Sequence, residues 1–117
     1  MPHITVEYSS NIEKRPEAQS FLKKLHDTLL AASDTYKIQD IKSRIVVHND
    51  FLVADGANDQ PFVHLQLAIM PREEQVKKDT SMKLLEILKQ TFASTKNCAL
   101  SVEIRILEKE SYIKANA

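Results

Sequence analysis

A single cysteine, a single glycine and no tryptophan mark this sequence of 117 residues. Cys98 has no partner for an internal disulfide and no second thiol for a paired-cysteine metal site. Gly56, alone, cannot make the glycine-rich turns that cradle phosphates, so nucleotide binding through G-x-G-x-x-G or a P-loop is excluded. An excess charge is lacking too: 16 Lys and Arg balance 16 Asp and Glu, which leaves no basic footprint for nucleic acid. No apolar run approaches the roughly 20 residues that span a bilayer. The opening MPHITVEY has neither the cationic start nor the apolar stretch of a secretory signal. A cytoplasmic protein is expected, with no membrane and no nucleic-acid partner. No metal is expected either, because His3, His26, His48 and His64 do not fall at helical ligand spacing and no acidic cluster supports them.

What is present is the pattern of one ordinary globular domain, 1–117. With 43% hydrophobic and 27% charged residues, a chain of this length can bury its own core. Residues 3–8 alternate, with Ile4, Val6 and Tyr8 on one face, which predicts a half-buried strand. Ala18, Phe21, Leu22, Leu25 and Leu29 recur at helical spacing, and Pro16 suits a first turn, so a helix is expected over 16–32. A β-branched run predicts a strand over 41–48. A loop follows over 49–60, with Asp55-Gly56 as its turn. A third strand is expected over 62–70, a second helix over 72–94, a fourth strand over 98–107 and a short tail over 111–117.

The order β-α-β, loop, β-α-β suggests two repeats, about 2–48 and 61–107. Laying Pro2 on Pro61 puts Ile4 on Val63, Val6 on Leu65 and Tyr8 on Leu67. The expected fold is α+β: a tandem β-α-β repeat forming a four-stranded mixed sheet with two helices on one face. Right-handed crossovers put both helices on that face. The other face would show Phe62, Ala68 and Met70 beside Val46, His64 and Gln66, a mixed apolar surface that points to a homo-oligomer.

Pro2 is the first candidate for chemistry. Methionine before a small residue is normally removed, which would leave Pro2 as a secondary amine; α-amino groups have pKa values of about 7.7–8.0. An apolar pocket and a nearby arginine would both lower that value and suit a general base. Proline also simply suits the head of a strand, so the residue alone leaves both readings open. Arg44 shares a strand face with Lys42, Val46 and His48. Arg72 stands at an expected helix start, where the dipole disfavours a cation. Either arginine can fork a carboxylate through paired hydrogen bonds, or simply be solvated. Cys98 reads as a small core residue, Glu7 as a partner for a strand neighbour, and Phe51 and Leu52 as loop anchors.

Together, "MPHITVEYSSNI", "IKSRIVVHNDFLVADGANDQPFVHLQLAI" and the arginine of "MPREE" resemble the 5-carboxymethyl-2-hydroxymuconate isomerase family of the tautomerase superfamily. The resemblance covers nearly the whole chain. It implies fused β-α-β units assembled as a homotrimer, and a cofactor-free isomerase with Pro2 as acid/base. It implies an unsaturated di- or tricarboxylic acid as the small-molecule substrate, with Arg44 and Arg72 binding its carboxylates. Lys42 stands where a second strand arginine would be accepted, so its contact would be monodentate. The segment "AIMP" lacks the family's glycine-rich stretch, and the tail "ESYIKANA" is short. Two alternatives share the scaffold: a keto–enol tautomerase for simple pyruvates, and a non-catalytic trimeric interaction module. The C-x-x-C pair of the latter, cytokine-like branch is absent.

Overall fold

The computed structural model describes residues 1–117. Its elements are β1 (His3–Ser9), α1 (Ala18–Ala32), a 3₁₀ turn (Ile38–Asp40), β2 (Lys42–His48), β3 (Phe62–Ile69), α2 (Glu74–Thr91) and β4 (Ala99–Ile106). The strands lie in the order β2-β1-β3-β4. β1 runs parallel to β2 and antiparallel to β3, and β3 runs parallel to β4. Each half is therefore a strand, a helix and a parallel strand, with the two first strands meeting at the centre. The first ladder bonds of the halves match: the Lys42 amide donates to the Pro2 carbonyl, and the Ala99 amide to the Pro61 carbonyl, both at 3.0 Å.

Alternation decides which face is buried. Ile4, Val6 and Tyr8 of β1 and Val63, Leu65, Leu67 and Ile69 of β3 are all buried on one side. Phe21, Leu25 and Leu29 of α1 and Leu84 and Leu88 of α2 close over them, so both helices share that face. Burying such a side chain contributes about 1.5–3 kcal/mol relative to leaving it exposed. Phe92, just past α2, sits between Tyr8 and Phe21 with ring centroids 5.9 and 5.8 Å away.

Both helices start two residues later than their apolar spacing suggests. The Glu17 carboxylate accepts from the Gln19 and Ser20 amides at 2.8 and 3.0 Å, so Glu17 is the N-cap and Pro16 lies outside the helix. α2 is capped at Glu73 and reaches only Thr91, which leaves Pro71 and Arg72 in the connection from β3 and Ser94 beyond the helix. Cys98 precedes β4 rather than opening it, half-buried against the core. The expected strands over 41–48 and 62–70 are each shorter by one residue.

The connection after β2 turns at Gly56, whose φ of +80° suits glycine. A Cβ there would come within 2.9 Å of the Leu52 side chain. Phe51 packs edge-on against Phe62 at 6.1 Å, and Phe62 stacks on His48 at 6.3 Å. Leu52 anchors nothing beyond its own turn and is 74% exposed.

The second sheet face has no element over it. Apolar Val46, Phe62 and Ala68 lie there beside several hydrogen-bonded polar pairs. Glu7 meets His48 at 3.0 Å. His64 meets Ser101 at 2.6 Å and Glu103 at 3.1 Å, and Glu103 also accepts from Arg105 at 3.1 Å. The face is thus mixed, with apolar and polar side chains together, as the alternation pattern suggests.

Candidate active site

Pro2 sits at the head of a central strand, and its ring is fully buried. Before it, the Met1 amine donates to the Asp40 carbonyl at 2.8 Å. Burial pushes that amine below its ordinary value of 8.0; Lys42 and Lys114 push it further, while Asp40 opposes them. Burial and like charge both favour the neutral amine.

The surrounding cations come from two directions. Lys42 opens β2 beside Pro2, and its Nζ donates to the Asp40 carbonyl at 3.4 Å. Lys114 arrives from the C-terminal tail, with its Nζ 3.5 Å from the Asp40 carboxylate. Asp40, in the 3₁₀ turn, thus ties the tail to the chain start.

Arg44 lies two residues along β2, on the open face. Its Nη1 donates to Thr5 Oγ1 at 3.3 Å and its Nη2 to His3 Nδ1 at 3.1 Å. The pairing of His3 with Lys42 and Thr5 with Arg44 across the parallel strands brings these side chains together. Arginine only donates, so His3 Nδ1 holds a lone pair and Nε2 carries the proton. Nε2 then donates to Tyr112 Oη at 2.9 Å. Burial, then the terminal amine, Arg44 and Lys42, hold His3 below its ordinary value of 6.5.

Arg72 is held elsewhere. Its Nε donates to Thr35 Oγ1 at 3.1 Å, and its Nη1 to the Met70 and Pro71 carbonyls, both at 3.2 Å. The guanidinium lies 5.5 Å from the centre of the Tyr36 ring, a cation–π distance. It lines an open cleft of about 770 Å³ with Thr35, Pro71, Glu73 and Val76. None of its hydrogen bonds reaches Pro2, Lys42 or Arg44. The structure therefore brings Pro2, Lys42 and Arg44 to one end of two adjacent strands, with Arg72 on a separate support beyond the end of β3.

Lys42, Arg44 and Arg72 have one thing in common: no carboxylate lies within ion-pair distance of any of them. Their charges are open to an external anion, which a fork of N–H donors can hold by paired bonds. No three His, Cys, Asp or Glu side chains converge on one point. Burial pushes the Cys98 thiol up, away from the reactive thiolate.

His3, Thr5, Asp40, Tyr112 and Lys114 were not singled out by sequence as part of this cluster. The alternation of β1 placed His3 and Thr5 on the face opposite the core, which was a usable signal. Nothing periodic marks Tyr112 or Lys114.

A model of the 5-carboxymethyl-2-hydroxymuconate isomerase family matches residues 2–117. A 5-carboxymethyl-2-hydroxymuconate Delta-isomerase of Escherichia coli is 32% identical, over 99% of this chain and 94% of its own length. The crystal structure of a 5-carboxymethyl-2-hydroxymuconate isomerase from Deinococcus radiodurans R1, also 32% identical, superposes with a TM-score of 0.89. That superposition covers 99% of this chain and 90% of the other. A fused 4-OT symmetric trimer, 15% identical, shares the fold with a TM-score of 0.77, over 98% of this chain and 93% of that one. Two tandem β-α-β units, a proline heading the central strand, and a family match that begins at that proline lead to one assignment: the chain belongs to the 5-carboxymethyl-2-hydroxymuconate isomerase family, within the tautomerase superfamily.

Proposed function

We propose that this chain moves a proton on an unsaturated 2-hydroxy or 2-oxo polycarboxylate such as 5-carboxymethyl-2-hydroxymuconate, with Pro2 as acid/base once Met1 is removed. The observation that carries the reading is the setting of the chain start. A buried proline heads a central strand. Burial, Lys42 and Lys114, which push the Met1 amine toward its neutral form, act in the same sense on the Pro2 amine once Met1 is removed. A neutral secondary amine removes the enol proton, the electron pair shifts through the conjugated system, and the same proton returns at the far carbon. Substrate and product are isomers, so no cofactor takes part in the balance.

Arg44, Arg72 and Lys42 hold the substrate carboxylates and offset the charge that develops on the enolate oxygen, the kind of electrostatic help that is often the largest catalytic term. Arg44 and Lys42 work beside Pro2. Arg72 stands on a separate support, which fits a site completed between subunits of a homotrimer. The chain is one domain of two repeats, about 2–48 and 61–107, and acts in the cytoplasm. No helix is long and apolar enough to cross a membrane.

The test is an ultraviolet ketonisation assay on protein whose intact mass lacks Met1, beside Pro2→Ala. General acid–base catalysis is worth roughly 100- to 10,000-fold, and a loss of kcat in that range is expected for the variant. Unchanged turnover in Pro2→Ala would overturn the role of the proline. Sedimentation of the wild type should give three times the 13.3 kDa chain; a monomer would overturn the trimer.

A further inference from the structure

The C-terminal tail ends in an arrangement that packing alone does not explain. Beyond β4, the Ser111 and Tyr112 amides donate to the Glu108 carbonyl, both at 3.1 Å, and form a turn. Ile113, the large aliphatic residue of this segment, is 89% exposed. A tail tethered for stability would bury that side chain. Instead, the long-range contacts of this one are polar and converge on the chain start: Tyr112 Oη with His3 Nε2 at 2.9 Å, and Lys114 Nζ with Asp40 Oδ1 at 3.5 Å. The Tyr112 and His3 rings also meet edge to face, 5.9 Å apart and at 70°.

His3 passes this contact on. An imidazole has two nitrogens with opposite roles when neutral, and the hydrogen bond made by one fixes what the other can do. The Arg44 donor requires the lone pair on Nδ1, and Tyr112, by accepting the Nε2 proton, holds the ring so that this lone pair is aimed at Arg44 Nη2 at 3.1 Å. Thr5 Oγ1 takes Nη1 at 3.3 Å. The guanidinium is held by two neutral acceptors rather than a carboxylate, so it is oriented without being neutralised. A charged partner there would compete with substrate; a neutral one does not.

We propose that Tyr112 is a positioning residue of the active site: through the His3 imidazole it fixes Arg44 in the orientation that receives a substrate carboxylate. The inference rests on the reading of Arg44 as a carboxylate-binding residue.

Two measurements test it. The first is ring ¹⁵N chemical shifts of His3 in the substrate-free protein at pH 7. They should show the neutral tautomer with the proton on Nε2, and Tyr112→Phe should shift the Nε2 resonance, which loses its hydrogen-bond acceptor. An Nδ1–H tautomer in the wild type, or a Tyr112→Phe spectrum identical to it, would overturn the proposal whatever the reaction is. The second is steady-state kinetics with 5-carboxymethyl-2-hydroxymuconate. Loss of one net hydrogen bond corresponds to a rise in KM of roughly 3- to 10-fold, with kcat within about twofold, for Tyr112→Phe. His3→Asn, whose amide still offers Arg44 an acceptor, should retain more affinity than His3→Leu. An unchanged KM in Tyr112→Phe, with Pro2→Ala inactive, overturns the role of the tail and spares the proposed function. A fully active Pro2→Ala overturns the proposed function instead, while the tautomer measurement still decides the tail.

Discussion

The Lys42 amide donates to the Pro2 carbonyl at 3.0 Å, so the first ladder bond between β1 and β2 ties the proposed base to the strand that carries two of its cations. The position of Pro2 relative to Lys42 and Arg44 is thus set by the sheet register, not by a flexible loop.

The pH dependence of turnover follows from that placement. The Met1 amine is held below its ordinary value first by burial and then by Lys42 and Lys114. The same burial and cations favour the neutral form of the Pro2 amine that removal of Met1 exposes. The acid limb of kcat/KM against pH should report the Pro2 amine, displaced downward from the value of a solvated terminal proline. Lys42→Gln removes a positive charge, which allows the amine to hold its proton to higher pH, so the midpoint should move upward. A pH–rate profile of both proteins checks the direction.

Arg44 and Arg72 share no hydrogen-bond partner, and their separate supports predict separate effects. A charge-assisted hydrogen bond is worth about 1.5–3 kcal/mol, so Arg44→Ala and Arg72→Ala should each raise KM for a polycarboxylate by roughly 10- to 100-fold. In the double variant the two penalties should add within about 0.5 kcal/mol, as for independent sites. Strong non-additivity in the measured KM values would mean that both arginines grip one carboxylate.

Stability rests on the central strands. Leu65 lies in β3 beneath both helices and is fully buried. Leu65→Ala should cost about 2–5 kcal/mol, combining the lost transfer term with the cavity. Denaturant unfolding measures this directly.

Acid should weaken the fold in two stages. His3 and His26 are both held below 6.5, chiefly by burial. Between their folded values and 6.5 the unfolded chain binds more protons than the folded one, so stability rises with pH there and is lost as pH falls. Glu17 is held below 4.5 by the Gln19 and Ser20 hydrogen bonds, and Glu103 by His64 and then Arg105. Their contribution is present above 4.5 and disappears on further acidification. Urea midpoints from pH 8 to pH 3 should decline through both windows, and His26→Gln should flatten the first.

The fold was legible because period-2 alternation in β1 and β3 and 3.6-residue spacing in the helices are direct images of a one-sided core. The helix starts were less so. Pro16 fitted a first turn, but Glu17 outcompeted it as a cap because its carboxylate satisfies two free amides. Arg72 was read as part of α2, and its actual support, the carbonyls of Met70 and Pro71, depends on where the chain turns after β3. The side chains around Pro2 were half legible. Lys42 and Arg44 stand on a strand with a visible pattern, whereas Tyr112 and Lys114 belong to an aperiodic tail whose contacts span more than 70 residues of sequence.

Pro61 heads β3 as Pro2 heads β1, and its carbonyl takes the equivalent ladder bond. Yet its nitrogen is locked in an amide with Gln60 and can never act as an amine. If Pro2 is the base, joining two like units into one polypeptide leaves one amine and one silent counterpart in each chain. The surroundings of Pro61 carry no demand of proton transfer, so in the proposed mechanism the second half contributes Arg72 and scaffold but no base.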